Sequence, residues 1–153
     1  MKKLLVVYYS RTGNTAQMAK AVGEGAESAG AIVKMKKVTE ATPEDLFDCD
    51  AVIFGTPTNF GQLAGLIKEF FDQAWLTVGD KKASKPYAAF TSAGSGATNA
   101  LEGVDGICDA FNRMKQFKFI KVCNGVVATK KPSAEVLSQC LKLGKRMAQV
   151  QSP

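Results

Sequence analysis

The feature that most constrains this chain is a junction near its amino end. The apolar run Leu4 to Tyr9 passes directly into Ser10-Arg11-Thr12-Gly13-Asn14-Thr15, and then into a segment of helical periodicity. An unbroken apolar run suits a strand covered on both faces. Ala16, Ala19, Val22 and Ala26 then recur at steps of three and four, which predicts a helix over 14–28 with a small-residue face, ended by Gly30. At the turn between them, three hydroxyls, an amide, a Gly and an Arg can converge with the helix's free N–H groups on one anion. No acid is present to repel that anion, and the Lys of the G-x-x-x-x-G-K-[ST] loop is missing, so the expected guest is a phosphate monoester held without metal. The simpler alternative is that Thr12 or Asn14 only caps the helix.

The rest of the chain repeats the alternation. Ile32 to Val38 sets Val33 and Met35 against Lys34 and Lys36, as in an edge strand guarded by charge. Thr42-Pro43-Glu44-Asp45 starts a short helix. Ala51 to Thr56 is a third strand, followed by a loop over 57–62 and an amphipathic helix marked by Leu63, Ile67, Phe70, Phe71 and Ala74. A fourth strand covers Tyr87 to Thr91, and Leu101 to Met114 forms a helix weakened by Gly103 and Gly106. Phe119 to Val127 contains the fifth strand, and the last helix opens at Pro132-Ser133. Five strands alternating with five helices predict an α/β fold: a doubly wound five-stranded parallel sheet, order 2-1-3-4-5, with helices on both faces. One domain over 1–153 is expected.

In that order strands 1, 3 and 4 are neighbours, so the loops after them should meet at the carboxyl edge of the sheet. These are the Gly-, Ser- and Thr-rich segments Ser10 to Thr15, Thr56 to Gln62 and Thr91 to Ala97. In the second, Pro57 stiffens the backbone and Phe60 offers a ring that a flat ligand would cover. Its alternative is packing on the helix beginning at Leu63. The third offers small residues and backbone donors but no base or nucleophile. A few charge-assisted bonds to phosphate contribute roughly 1.5–3 kcal/mol each, against an association cost of about 4–15 kcal/mol. Burying about 200 Å² of aromatic ring adds on the order of 5 kcal/mol. A monophosphate carrying a large flat ring suits the three loops.

Composition excludes several classes. Cys49, Cys108, Cys123 and Cys140 show no C-x-x-C spacing and the chain has no His, so zinc and Cys–His chemistry are not expected. Buried, reduced thiols and a cytoplasmic location are. The net charge of +6 is spread over scattered lysines without interleaved aromatics, which argues against a nucleic-acid partner. No run approaches the roughly 18 apolar residues of a membrane span. A receiver domain's acidic pair, a phosphatase's C-x₅-R and a G-x-G-x-x-G after the first strand are all missing.

Tyr8-Tyr9-Ser10-Arg11-Thr12-Gly13-Asn14-Thr15 resembles the FMN-phosphate loop of flavodoxins. Gly55-Thr56-Pro57-Thr58-Asn59-Phe60-Gly61-Gln62 resembles the flavin-ring loop of the flavodoxin-like NAD(P)H:quinone oxidoreductases related to tryptophan-repressor-binding protein. The resemblance implies that Ser10, Arg11, Thr12, Gly13, Asn14 and Thr15 hold the FMN phosphate. It implies that Thr56, Pro57, Thr58, Asn59, Phe60 and Gly61 border the isoalloxazine, and that Thr91, Ser92, Ala93, Gly94 and Gly96 line its other side and the ribityl chain. Trp75 stands near an active-site Trp of the quinone reductases, or belongs to the core. Two departures are visible: Asn59 replaces the reductases' usual Arg, and the surface lacks the acidity of long-chain flavodoxins.

Two functions stay open from the residues. One is an FMN-dependent oxidoreductase taking hydride from NAD(P)H and passing electrons to a quinone or similar acceptor. The other is an electron carrier between redox partner proteins, without substrate turnover. The oxidoreductase is the preferred reading, no catalytic side chain is required because the flavin carries the chemistry, and a homo-oligomer is compatible with either.

Overall fold

The computed structural model describes residues 1–94 and 99–153. Its first strand, β1 (Lys3–Tyr8), lies inside the sheet, and its residues Leu4 to Val7 are wholly buried because helices cover both faces. β1 pairs in parallel with β2 (Ile32–Lys37) on one side and β3 (Ala51–Asn59) on the other. β3 pairs in parallel with β5 (Ala83–Ala93). β5 in turn carries both β6 (Phe117–Lys121) and β7 (Val126–Thr129), again in parallel.

The expected fifth strand is therefore one strand interrupted. Tyr87 stands opposite Lys121 and Phe90 opposite Val126, so two residues of β5 face four of the other chain segment. With β6 and β7 taken as one broken strand, the order is the expected 2-1-3-4-5. The expected loop over 57–62 differs more: β3 runs on to Asn59 and folds back through a two-residue turn into β4 (Gln62–Leu63), which pairs antiparallel with it.

α1 (Asn14–Ser28) and α4 (Ala134–Ala148) cover one face; α2 (Gly65–Val78) and α3 (Asn99–Met114) cover the other. The fifth expected helix is a single 3₁₀ turn, Pro43–Leu46, with the Asp45 carboxylate accepting the Thr42 N–H at 2.9 Å. α4 starts where Ser133 Oγ accepts the Val136 N–H (3.1 Å), as its cap residue predicts.

The α2/α3 face is filled by aromatic rings, with Phe54, Phe71, Phe111 and Phe119 meeting at centroid distances from 4.7 to 6.4 Å. On the other face α1 and α4 touch through glycines. A Cβ on Gly25 would overlap the Leu141 carbonyl oxygen, and one on Gly144 the Val22 carbonyl oxygen. Among the described residues no helix is long and apolar enough to cross a membrane.

Candidate functional site

The junction after β1 is built around one hydroxyl. Ser10 Oγ accepts the N–H groups of Gly13 (3.1 Å) and Ala16 (3.2 Å), which curls the loop and leaves the Ser10 O–H to donate elsewhere. Gly13, at φ 99°, occupies the left-handed region that a Cβ would oppose. The first backbone bond of α1 runs from the Gln17 N–H to the Gly13 carbonyl (3.0 Å). The Asn14 and Thr15 amides precede it and have no acceptor within the helix, and there the macrodipole is positive.

Two hydroxyl pairs tie the three segments together. Thr15 Oγ1 and Ser92 Oγ lie 2.7 Å apart across 77 residues of sequence, which fixes the start of α1 over the end of β5. Thr58 Oγ1 and Thr91 Oγ1 lie 2.9 Å apart and join β3 to β5. Thr56 is buried and points away from this edge, its Oγ1 accepting the Ala64 N–H (2.9 Å) at the start of α2.

The three segments enclose a cleft of about 340 Å³ lined by Arg11, Thr12, Asn14, Thr15, Pro57, Thr58, Asn59, Ser92, Ala93, Gly94 and Lys130. Ser10 and Gly13 open instead onto an adjoining hollow of about 360 Å³ with Tyr8, Tyr9 and Lys37. Thr56 and Thr91 lie buried beneath the edge. Phe60 and Gly61 form the turn after Asn59. Of the remaining expected residues, Gly96 lies outside the described ones.

Phe60 is fully exposed and has φ 52°, beside Gly61 at φ 72°. Positive φ at both central residues is what a two-residue hairpin of this hand requires, and Asn-Gly is its usual sequence. A bulky ring there is a backbone outlier, costing on the order of 1–3 kcal/mol. Neither packing on α2 nor turn preference explains the ring, so the fold presents it to solvent at some cost.

Lys130 has no counterpart among the residues singled out from sequence. Nothing local marks it; only the pairing of Thr129 with Ala93 and the bond from the Lys130 N–H to the Ala93 carbonyl (2.6 Å) bring it to the cleft. With Arg11 it makes the lining cationic, since no Asp or Glu is present there.

Trp75 packs edge-on against Phe111 (4.9 Å) with the Lys115 ammonium 4.7 Å over its ring, and so belongs to the α2/α3 packing. Cys49, Cys108 and Cys140 are buried and unpaired, and Cys123 is half-buried. Burial pushes the Cys49 thiol up to about 11 and the Cys140 thiol up to about 12, so neither is a thiolate at neutral pH. No cluster of metal-ligating side chains occurs among the described residues.

In sequence the chain is similar to known redox proteins. The chain is 35% identical to a flavodoxin of Aquifex aeolicus, over 97% of this chain and 86% of that protein. It is 40% identical to an NAD(P)H dehydrogenase (quinone) of Rhizobium meliloti over 62% of this chain, where it spans 55% of that protein's length. An archaeal flavodoxin superposes with a TM-score of 0.81 at 25% identity, covering 96% of each chain. Residues 5–134 match the flavodoxin domain, and the chain belongs to that family.

Proposed function

We propose that this flavodoxin-family redox protein holds FMN in the three-segment cleft and works as an NAD(P)H-dependent oxidoreductase with a quinone or similar small acceptor. The observation that carries the reading is the cleft itself, which joins the α1 start, the β3–β4 hairpin and the end of β5 without a carboxylate. The residues fit the group. The Asn14 and Thr15 amides, the Thr12 hydroxyl and Arg11 suit a phosphate, and the Ser10 hydroxyl holds the curl of the loop that presents them. Pro57 to Asn59 and the exposed Phe60 suit one side of a flat ring, and Ser92 to Gly94 the other.

Bound FMN supplies hydride acceptance and the return of electrons to an acceptor. This chain's residues position it and set its electrostatics. Phe60 shields the ring from water. Arg11 and Lys130, unopposed by any acid in the lining, favour negative charge on the bound group and make it less reducing than an acidic surround would.

The extended similarity to the Aquifex aeolicus flavodoxin favours a second reading, a carrier passing electrons between redox proteins. The visible spectrum of the FMN-loaded protein during NADPH titration separates the two. Bleaching of the yellow chromophore, with steady turnover when a quinone is added, is the expected result. An oxidised flavin indifferent to NADPH and NADH establishes the carrier, and failure to bind FMN removes both.

A further inference from the structure

Among the described residues only two non-glycine positions have positive φ: Phe60, in the exposed turn that follows the cleft residue Asn59, and Lys130, which lines the cleft itself. At Gly13, Gly30, Gly61 and Gly79 the chain meets the same backbone demand with glycine. Lys130, at φ 60°, keeps a long side chain where glycine would be unstrained. It is held there by two constraints: β7 ends with Thr129 opposite Ala93, and the Lys130 N–H is bonded to the Ala93 carbonyl.

A phosphate monoester carries a charge of about −1.5 to −2 at neutral pH. Arg11 alone leaves roughly half of that uncompensated. Lys130 lines the same space as Arg11, Thr12, Asn14 and Thr15 and makes no ion pair among the described residues. It approaches from the far side of β5, opposite the loop that carries Arg11.

We propose that Lys130 is the second phosphate-binding cation of the cleft and sets its preference for FMN over unphosphorylated riboflavin. The inference rests on the FMN reading above. As a compact point charge on a flexible stem, an ammonium suits this role without the bidentate geometry an Arg would impose.

The test is fluorescence titration of FMN and of riboflavin into the full chain and its K130Q, K130G and K130R forms, at low and high salt. K130Q and K130G should each lose about tenfold in FMN affinity, the scale of one charge-assisted bond. Riboflavin affinity should stay unchanged, and the salt dependence of FMN binding should flatten. K130R should retain most of the FMN affinity. The apo K130G form should melt no lower than the parent, since it relieves the left-handed backbone. An unchanged FMN-to-riboflavin ratio in K130Q and K130G, or parallel loss of both flavins, overturns the proposal. A parent chain that binds neither flavin overturns the FMN reading itself and is distinguishable from either result.

Discussion

The two faces of the sheet are packed by opposite means. On the α2/α3 face the layers are held apart by rings: Phe71 meets Phe54 at 4.7 Å and Phe111 meets Phe119 at 5.1 Å. On the α1/α4 face the helices meet backbone to backbone, with Gly25 under Leu141 and Gly144 under Val22. The difference follows from what each face carries. α1 begins at the phosphate-type loop, and its start is tied to β5 by the hydroxyl pair of Thr15 and Ser92. Where α1 and α4 touch, over Val22 to Ala26, no side chain that could change rotamer lies between their backbones, so the position of α1 is less adjustable there than that of a helix cushioned by rings. The aromatic face supplies stability; the glycine face supplies position.

The largest effect should come from the aromatic side. Phe71→Ala removes a ring that touches Phe54, Phe70, Phe111 and Phe119. The loss should be about 3–5 kcal/mol, read as a shift of the urea midpoint, because buried Phe truncations leave a cavity as well as losing transfer energy. Below the shifted midpoint, FMN affinity should be nearly that of the parent.

Gly144→Ala tests the other side. In an exposed helix this change would stabilise by about 1 kcal/mol. Here the new methyl meets the Val22 carbonyl and the Ala26 amide, groups that cannot rotate away. Overpacking of this kind costs about 1–3 kcal/mol, and it must push α1 off α4. FMN affinity should therefore fall further in Gly144→Ala than in Phe71→Ala although the stability loss is smaller. The same ranking of the two effects in both variants would erase the distinction between the faces.

Periodicity made much of this legible. The bounds of α1, the interior apolar β1 and the edge position of β2 are all written as runs or repeats, and so are the three polar loops that gather at the carboxyl edge. What was not legible depended on pairing. Phe60-Gly61 lacks the Asn-Gly that announces a tight hairpin, so residues 57–62 read as a loop until β4 is seen against β3. Thr56 reads like its neighbours as a polar loop residue, yet one strand register turns its hydroxyl to the start of α2. Lys130 is one lysine among many, and only the Thr129–Ala93 pairing distinguishes it. The break between β6 and β7 carries no Pro and a single Gly, too little to separate it from a continuous strand.

The smallest expected effect lies at the edge where both faces reach β2. Val33 packs against the glycine face, and the Met35 side chain covers Gly23 of α1. Lys34 and Lys36 turn the other way and bond the Asp45 carboxylate, each at 3.0 Å. The alternation that reads as a charged guard on an exposed edge is thus also a clamp holding the 3₁₀ turn to the aromatic side. Burial of Asp45 by itself would raise its pKa, but the Thr42 amide and the two ammonium groups outweigh burial and hold the carboxyl below its ordinary range. A depressed folded-state value contributes stability at pH above the unfolded value of about 3.9, and that contribution is lost as the pH falls through the lower folded value. Asp45→Asn keeps the shape and an acceptor for Thr42, so it should cost about 1 kcal/mol at pH 7. Urea midpoints of the two proteins should converge as the pH is lowered from about 5 to about 2. A gap that persists at the acid end would mean that the turn is held by fit, as the glycine face is, and not by charge.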